Sequence, residues 1–495
     1  MARLPINYAP TVMRDETSLQ RANAWVGSHL VRFHQGARSP FGGWRTHSTT
    51  TMTGSPRRII NWRDNSNLTW AAIGTHSNLY AMARDGTLYD ITPVGFTSGR
   101  ADATTGAGYG AGTYGSGTYG TPRPDTSTIL DASVWSIDTF GQYINGCMTD
   151  DGKLYEWQLN TGVKAAAISG APTADACFVT NEGMLCALGA GGFPRRAQWS
   201  DQRVNTTWIA DATNQAGDYD LQTNGRLMLG LRIRGGHLLL TDQDCWSMTY
   251  LQNSDVYGFD KVGDKCGAIS RNCAVALDAR AVWMGKNGFY MWNGYVQRLD
   301  CSVQDYVFSD MNTLQVSKVT AVPNGDWSEV KFYYPSANST ENDRYVVYKE
   351  NPDGSVSWYV GMVARLCGCD RGAFQYPMEC ATDGYVYDHE CGWSYTGATA
   401  PYLDSGPIMI GNGDNTINIL RLYPDDRTLG DVNVTFFTRL EPDDAEVAYG
   451  PYTVSRETDL RVPESRFIRM RLAGVNTVDW RVGDYALEIE LGGER

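Results

Sequence analysis

The sequence predicts a mainly β protein, with a propeller-like, hairpin-rich body and a smaller antiparallel β-sandwich after it. Three observations lead there. A short glycine-turn unit keeps returning along the chain. Its 495 residues include 53 glycines and 28 tyrosines, a composition of turns and strands. Long helical periodicity is scarce: only Asp15 to Phe33 could turn as a helix, and its apolar positions are not clean.

The returning unit is a turn with Asn or Asp before Gly, then an apolar residue and a Tyr. It reads Asp85-Gly86-Thr87-Leu88-Tyr89, Asp151-Gly152-Lys153-Leu154-Tyr155, Asn287-Gly288-Phe289-Tyr290 and Asp383-Gly384-Tyr385-Val386-Tyr387. Looser copies are Asn78-Leu79-Tyr80, Asn181-Glu182-Gly183-Met184-Leu185 and Asp353-Gly354-Ser355-Val356. Such turns supply the positive-φ positions of a tight hairpin. Many similar hairpins in one chain point to blades or stacked sheets rather than one sandwich.

Taken in order, residues 1–50 are irregular and carry Arg14, Arg21, Arg32, Arg38 and Arg45. They are expected to form an N-terminal arm, or a strand that docks elsewhere; as an arm it either grips an acidic face of a neighbouring subunit or stays solvated. Residues 51–399 form the hairpin body. Its length suits roughly seven or eight blades of about 40–45 residues. Gly86 and Gly152 are 66 positions apart, as are Gly288 and Gly354, which is not one clean blade period. Residues 400–495 change character. Val432–Thr438, Phe467–Leu472 and Tyr485–Leu491 alternate apolar and polar residues, as strands of a small antiparallel sandwich do.

Residues 106–120 read GAGYGAGTYGSGTYG, with tyrosines at Tyr109, Tyr114 and Tyr119. This composition builds no core of its own, so an extended, exposed loop is expected. The three tyrosines are candidate contacts to a neighbouring subunit or a channel; a disordered insertion is the bland alternative.

The totals bound the function. The length implies two or three domains. The formal net charge of −13 argues against blanket nucleic-acid binding, which rests on Lys and Arg neutralising phosphates. An acidic wall instead repels DNA and lets it slide past. Met1-Ala2-Arg3-Leu4-Pro5 leads into no apolar segment of secretory type, so most of the 11 cysteines are expected to be reduced and buried. No apolar run approaches the roughly 20 residues of a membrane span.

Chemistry is sparse. Gly110/Gly112/Gly115 and Gly115/Gly117/Gly120 formally match G-x-G-x-x-G, but the strand before and helix after that a dinucleotide site needs are missing. Cys367, Cys369, Cys380 and Cys391, with His389, offer zinc-type ligands at unsuitable spacing, and buried thiols on neighbouring strands explain them as well. Trp199-Ser200-Asp201 before Thr206-Thr207-Trp208 faintly resembles a sialidase-type Ser/Asp/Trp box without its glycine. Tyr290-Met291-Trp292-Asn293-Gly294-Tyr295 could stack on sugars or pack between blades. No cofactor, metal or catalytic residue is assigned.

In sum, the chain resembles the tail nozzle proteins of short-tailed bacteriophages, also called tail hub, tail accessory or packaged-DNA stabilisation proteins. The resemblance begins with Trp70-Ala71-Ala72-Ile73-Gly74-Thr75, Leu79-Tyr80 and Leu88-Tyr89-Asp90-Ile91-Thr92-Pro93, followed directly by the Gly/Tyr tract. It continues through Gln198-Trp199-Ser200-Asp201 with Trp208, Asn214-Gln215-Ala216-Gly217, and Val282-Trp283-Met284-Gly285 leading to Phe289-Tyr290. Glu329 with Tyr333-Tyr334-Pro335-Ser336 and then Trp480-Arg481-Val482-Gly483 complete it. It covers most of the chain from about Ser55 onward and rests on order rather than on one diagnostic motif.

The resemblance implies a structural virion protein of the phage (podovirus) tail, assembled in the host cytoplasm and not an enzyme. It implies a ring, usually a hexamer, below the portal and adaptor proteins. That ring would continue the DNA channel, help retain the genome and guide its ejection. It would carry fibres or spikes and be closed by a gate or needle. Each subunit would combine a propeller-like body with a platform domain, and double-stranded DNA would pass without tight binding and without membrane insertion. A carbohydrate-binding or glycan-hydrolysing β-propeller of the tail is the alternative reading.

Overall fold

The computed structural model describes residues 2–17, 20–104, 129–253, 255–277, 279–408, 415–426, 429–441, 444–475 and 477–494. Among them the strands gather into seven four-stranded antiparallel sheets and two larger ones. The seven innermost strands are Pro56–Arg63, Trp135–Phe140, Ala176–Val179, Leu227–Ile233, Ala274–Leu277, Thr320–Asn324 and Cys367–Cys369. Each packs beside the next, and the last returns to the first, which closes a ring of seven blades. The body is a seven-bladed β-propeller. Blades 1 to 7 below follow this order.

The local cause of the hairpins lies in their turns. Asp85, Asp353 and Asp383 each accept the amide of the residue two positions on, at 2.9–3.0 Å. This side-chain turn positions the following Gly at positive φ, as at Gly86 (+84°). Gly86 also meets a neighbour: an added Cβ would lie 2.1 Å from the His47 carbonyl oxygen. The turn sits at different corners of different blades. It joins third to fourth strands in blades 1 and 6, but second to third in blades 2 and 7. Gly86 and Gly152 are also separated by the long connection between Asp90 and Trp135, so the spacing of 66 gave no blade period.

Aromatics fill the gaps between blades. Trp70 meets Trp157 edge-on at 5.4 Å, and Phe289 lies 4.7 Å from Trp358. Buried indoles are satisfied by carbonyls: Trp135 Nε1 donates to Thr75 O at 2.7 Å and Trp283 Nε1 to Cys266 O at 2.7 Å. Tyr290 stacks on Trp283, so this part of the aromatic turn serves packing.

The N-terminal arm expected over residues 1–50 is not an arm. Ala2–Ile6, Val31–His34 and Ala37–Pro40 join Asn415–Asp426, Thr458–Ser465 and Val482–Glu494 in one sheet. Trp25–His29 joins Tyr402–Ser405, Val432–Arg439, Val447–Thr453 and Phe467–Gly474 in the other. Both ends of the described chain thus build the sandwich. Trp44–Thr46 then pairs with Val386–His389 as the outer strand of blade 7, so one early strand closes the propeller ring. No helix runs through the described residues of Asp15 to Phe33 either. Trp25, Val26, Val31 and Phe33 favour strands, and Leu30 at φ +53° separates two of them. Among the described residues the α-helix is Gln304–Asp310.

The sandwich strands alternate as expected. Val432–Arg439 is buried at every other residue, with Val434 and Phe436 fully inside. One continuous apolar core joins sandwich residues such as Trp25, Phe33 and Leu472 to blade residues such as Trp283, Phe332 and Tyr359. No helix of the described residues is long and apolar enough to cross a membrane.

Candidate functional site: the propeller axis and the joint to the sandwich

Tyr109, Tyr114 and Tyr119, with both G-x-G-x-x-G matches, lie outside the described residues. Thr104 and Leu130 exchange two backbone hydrogen bonds of 2.9 Å. Just before this neck, Ala103 N–H donates to Gln315 Oε1 at 2.9 Å, and Gln315 Nε2 returns a bond to Ala103 O at 3.1 Å.

These contacts belong to a plug on the propeller axis. Arg57, at the start of the blade 1 inner strand, is 3% exposed. Its guanidinium grips Glu341 with two bonds of 2.7 and 2.8 Å and gives a third, of 2.7 Å, to Ala101 O. Lys318 Nζ donates to Thr340 O at 2.7 Å and to Glu341 at 3.2 Å, and also pairs with Asp102. Burial pushes the Glu341 carboxyl up, but Arg57 and Lys318 outweigh it and hold it below its ordinary value. Asn272 Nδ2 donates to Arg57 O at 3.1 Å and Trp135 O at 3.5 Å, tying blade 5 to blades 1 and 2. The axis is therefore filled at the starting ends of the inner strands, and it is not a pore for a polymer.

The second cluster joins the sandwich to blades 6 and 7. Arg32, on a sandwich strand and 1% exposed, donates to Glu329 Oε2 at 3.1 Å and to Glu390 Oε2 at 3.0 Å. Glu329 also accepts from Tyr359 Oη at 2.6 Å and Lys349 Nζ at 3.3 Å. Glu390 accepts from Gly42 N at 2.9 Å. The Arg32 guanidinium lies over the Trp327 and Phe41 rings at 4.0 and 4.4 Å. Alongside, Glu379 meets Lys331 at 3.2 Å and Tyr333 Oη at 2.7 Å. Arg365 Nε donates to His389 Nε2 at 2.9 Å. Burial, with Arg365 and Lys331 beside it, drives the His389 imidazole well below its ordinary value, so it accepts that bond as a neutral ring. Two bonds to blade 6 carbonyls complete the joint: Val12 N–H donates to Trp358 O at 2.8 Å, and the Ser28 hydroxyl to Val360 O at 2.7 Å.

The early arginines thus serve their own chain. Arg38 pairs with Asp484 at 2.9 Å and Arg45 with Asp388 at 3.1 Å, while Arg14 lies over the Tyr306 ring at 3.9 Å. Arg21 Nε donates to Glu16 O. The expectation that this segment reaches for a neighbour's acidic face is corrected for Arg32 and Arg38, whose side chains are buried in their own chain.

The other sequence candidates resolve into packing. Among the described residues no group of three or more His, Cys, Asp or Glu side chains is arranged to hold a metal ion. Cys367 and Cys380 face each other across paired strands as free thiols, Cys369 Sγ accepts from Asn61 Nδ2 at 3.1 Å, and Cys391 Sγ donates to Asp388 O at 3.3 Å. In the Ser/Asp/Trp segment, Asp201 accepts the Gln215 amide at 2.9 Å and Ser200 Oγ accepts the Leu185 amide at 3.0 Å. Trp199 and Trp208 are buried. These groups brace blade 3. The pairings in the plug and the joint had escaped sequence reading because the partners lie far apart, as Arg57 and Glu341 do, 284 positions from each other.

No protein-family model matches the chain, and no curated protein matches it. Among solved structures it is similar to a streptogramin B lyase, at 9% identity and a TM-score of 0.40, covering 70% of this chain and 96% of that one. It is similar at 10% identity to a catalytically inactive virginiamycin B lyase from Staphylococcus aureus with quinupristin, with a TM-score of 0.37, covering 70% and 98%. A protein from Lactobacillus plantarum matches at 10% identity and a TM-score of 0.37, covering 69% and 96%. Likenesses this distant carry no argument about activity.

Proposed function

We propose that the chain is a non-enzymatic structural subunit of a short-tailed phage tail nozzle. Copies close into a ring, six in the family it resembles, below the adaptor and portal, and the ring continues the DNA channel. It retains the packaged genome, guides its ejection and carries fibres or spikes.

The observation that carries this reading is the fusion of propeller and sandwich into one block. The sandwich contains both ends of the described chain, a sandwich arginine is buried against two blade carboxylates, and one core runs through both bodies. A subunit that holds pressurised DNA in a ring has to transmit load between a body and a platform, and the buried ion pairs and shared core of this joint resist relative motion of the two. The plugged axis adds a second support. Nothing polymeric threads one subunit, so passage belongs between copies, where a formal charge of −13 per chain repels phosphates rather than binding them.

Mass photometry and negative-stain images of the purified chain, alone and beside its adaptor ring, test the reading. Closed oligomers are expected. Monomers alone in both conditions would count against it.

A further inference from the structure

The axis has a second end. Opposite the plug, the inner strands of blades 1 to 5 flare around a cavity of about 300 Å³, at the lower edge of the usual range for small-ligand pockets. Its floor is at the buried starts of those strands, where Arg271 and Asn272 sit over the plug. Its mouth is at their later residues, where Thr139 and Ala276 are half-buried and Arg232 is exposed.

The charge inside this funnel is unbalanced. Arg58, Arg232 and Arg271 line it, with Asp138 as the carboxylate. Asp138 is already committed: it pairs with Arg232 at 2.8 Å and accepts the amides of Thr139 and Val179 at 2.8 and 2.9 Å. Arg271 gives two bonds to the carbonyls of Leu227 and Met228, at 3.1 and 3.2 Å, and holds Asp175 at 3.3 Å. The Arg58 guanidinium has no hydrogen bond and no ion pair among the described residues; its Nε is fully buried, while the residue as a whole is half-buried. The contrast is with its sequence neighbour, since Arg57 takes both oxygens of Glu341. Burial pulls the Arg58 pKa down, the mark of a cation short of solvation. An unpaired guanidinium in a blind polar cavity presents its fork to whatever enters, and the fork fits the two oxygens of a carboxylate or phosphate.

We propose that the funnel binds a small oxyanion-bearing molecule, a phosphate or a multicarboxylate, with Arg58 as its anchor and Arg271 beside it at the floor. The site is independent of ring assembly, because its lining comes from one chain.

Isothermal titration calorimetry of the purified chain tests it, with inorganic phosphate and with citrate, ionic strength held constant with chloride. Saturable one-to-one binding of at least one anion is expected, and which one binds assigns the oxyanion. Arg58→Gln should weaken it at least tenfold, Arg58→Lys less, and Arg63→Gln, an exposed change on the same strand, not at all. Ala276→Trp at the mouth should block entry and decides the matter if Arg58→Gln fails to fold. No saturable binding of either anion by the unaltered chain overturns the proposal. So does binding unchanged in Arg58→Gln, or unchanged in Ala276→Trp.

Discussion

At the scale of residues, stability is concentrated in buried charges that have partners. Arg32 illustrates the asymmetry. Two opposite charges buried together gain little over apolar packing, but removing one strands the others. Arg32→Ala leaves Glu329 and Glu390 without their shared cation, and a loss of about 3–5 kcal/mol is expected by urea denaturation. A loss under about 1 kcal/mol would mean that water reaches the joint.

His29 gives a pH signature. It is 1% exposed, its Nδ1 accepts the Met362 amide at 3.3 Å, and burial lowers its pKa from 6.5 to about 4. The unfolded chain therefore binds a proton between those values and the folded chain does not. Its contribution is complete above pH 6.5 and is lost as pH falls toward 4. One such group costs about 2 kcal/mol between pH 7 and pH 5, and His29→Gln should flatten that slope in denaturation curves taken across pH. A slope unchanged in the variant would show that His29 is charged or exposed.

At the scale of elements, the sequence was legible where structure is local. Asp-Gly turns announce themselves because Asp383 bonds its own backbone two residues on, and Val432–Arg439 alternates because one face meets a core. For residues 1–50 the reading as an arm failed and the reading as a docking strand held, but where the strands dock was not legible because their partners are remote: Ala2 pairs with Ile489, and Trp44 with His389. No local pattern marks such a pairing, and a basic, irregular stretch looks like a tail until its partners are known. The Gly/Tyr tract at 106–120 is the element whose part follows least from the fold. Its flanks are fixed by the Thr104–Leu130 neck and by Gln315. Deleting residues 106–120 should leave the melting temperature within a few degrees and impair ring closure. A large drop in melting temperature with assembly intact would contradict a role in assembly.

For the whole molecule, the candidate chemistry was less legible than the fold. The thiols and the Ser/Asp/Trp segment drew notice by residue type, yet Cys369 and Asp201 are spent on hydrogen bonds inside their own body. The groups without such employment, Arg58 foremost, carry no motif, because a ring of seven strands assembles its axis from residues far apart in sequence. The same arrangement shapes the proposed role. A plugged propeller welded to a sandwich is a building block, and a conduit made of such blocks owes its bore to the faces that copies turn toward one another. A cryo-electron microscopy reconstruction of the assembled ring tests this most directly. The account predicts a closed ring of copies whose bore is lined mainly by aspartate and glutamate; a bore lined by lysine and arginine would contradict it.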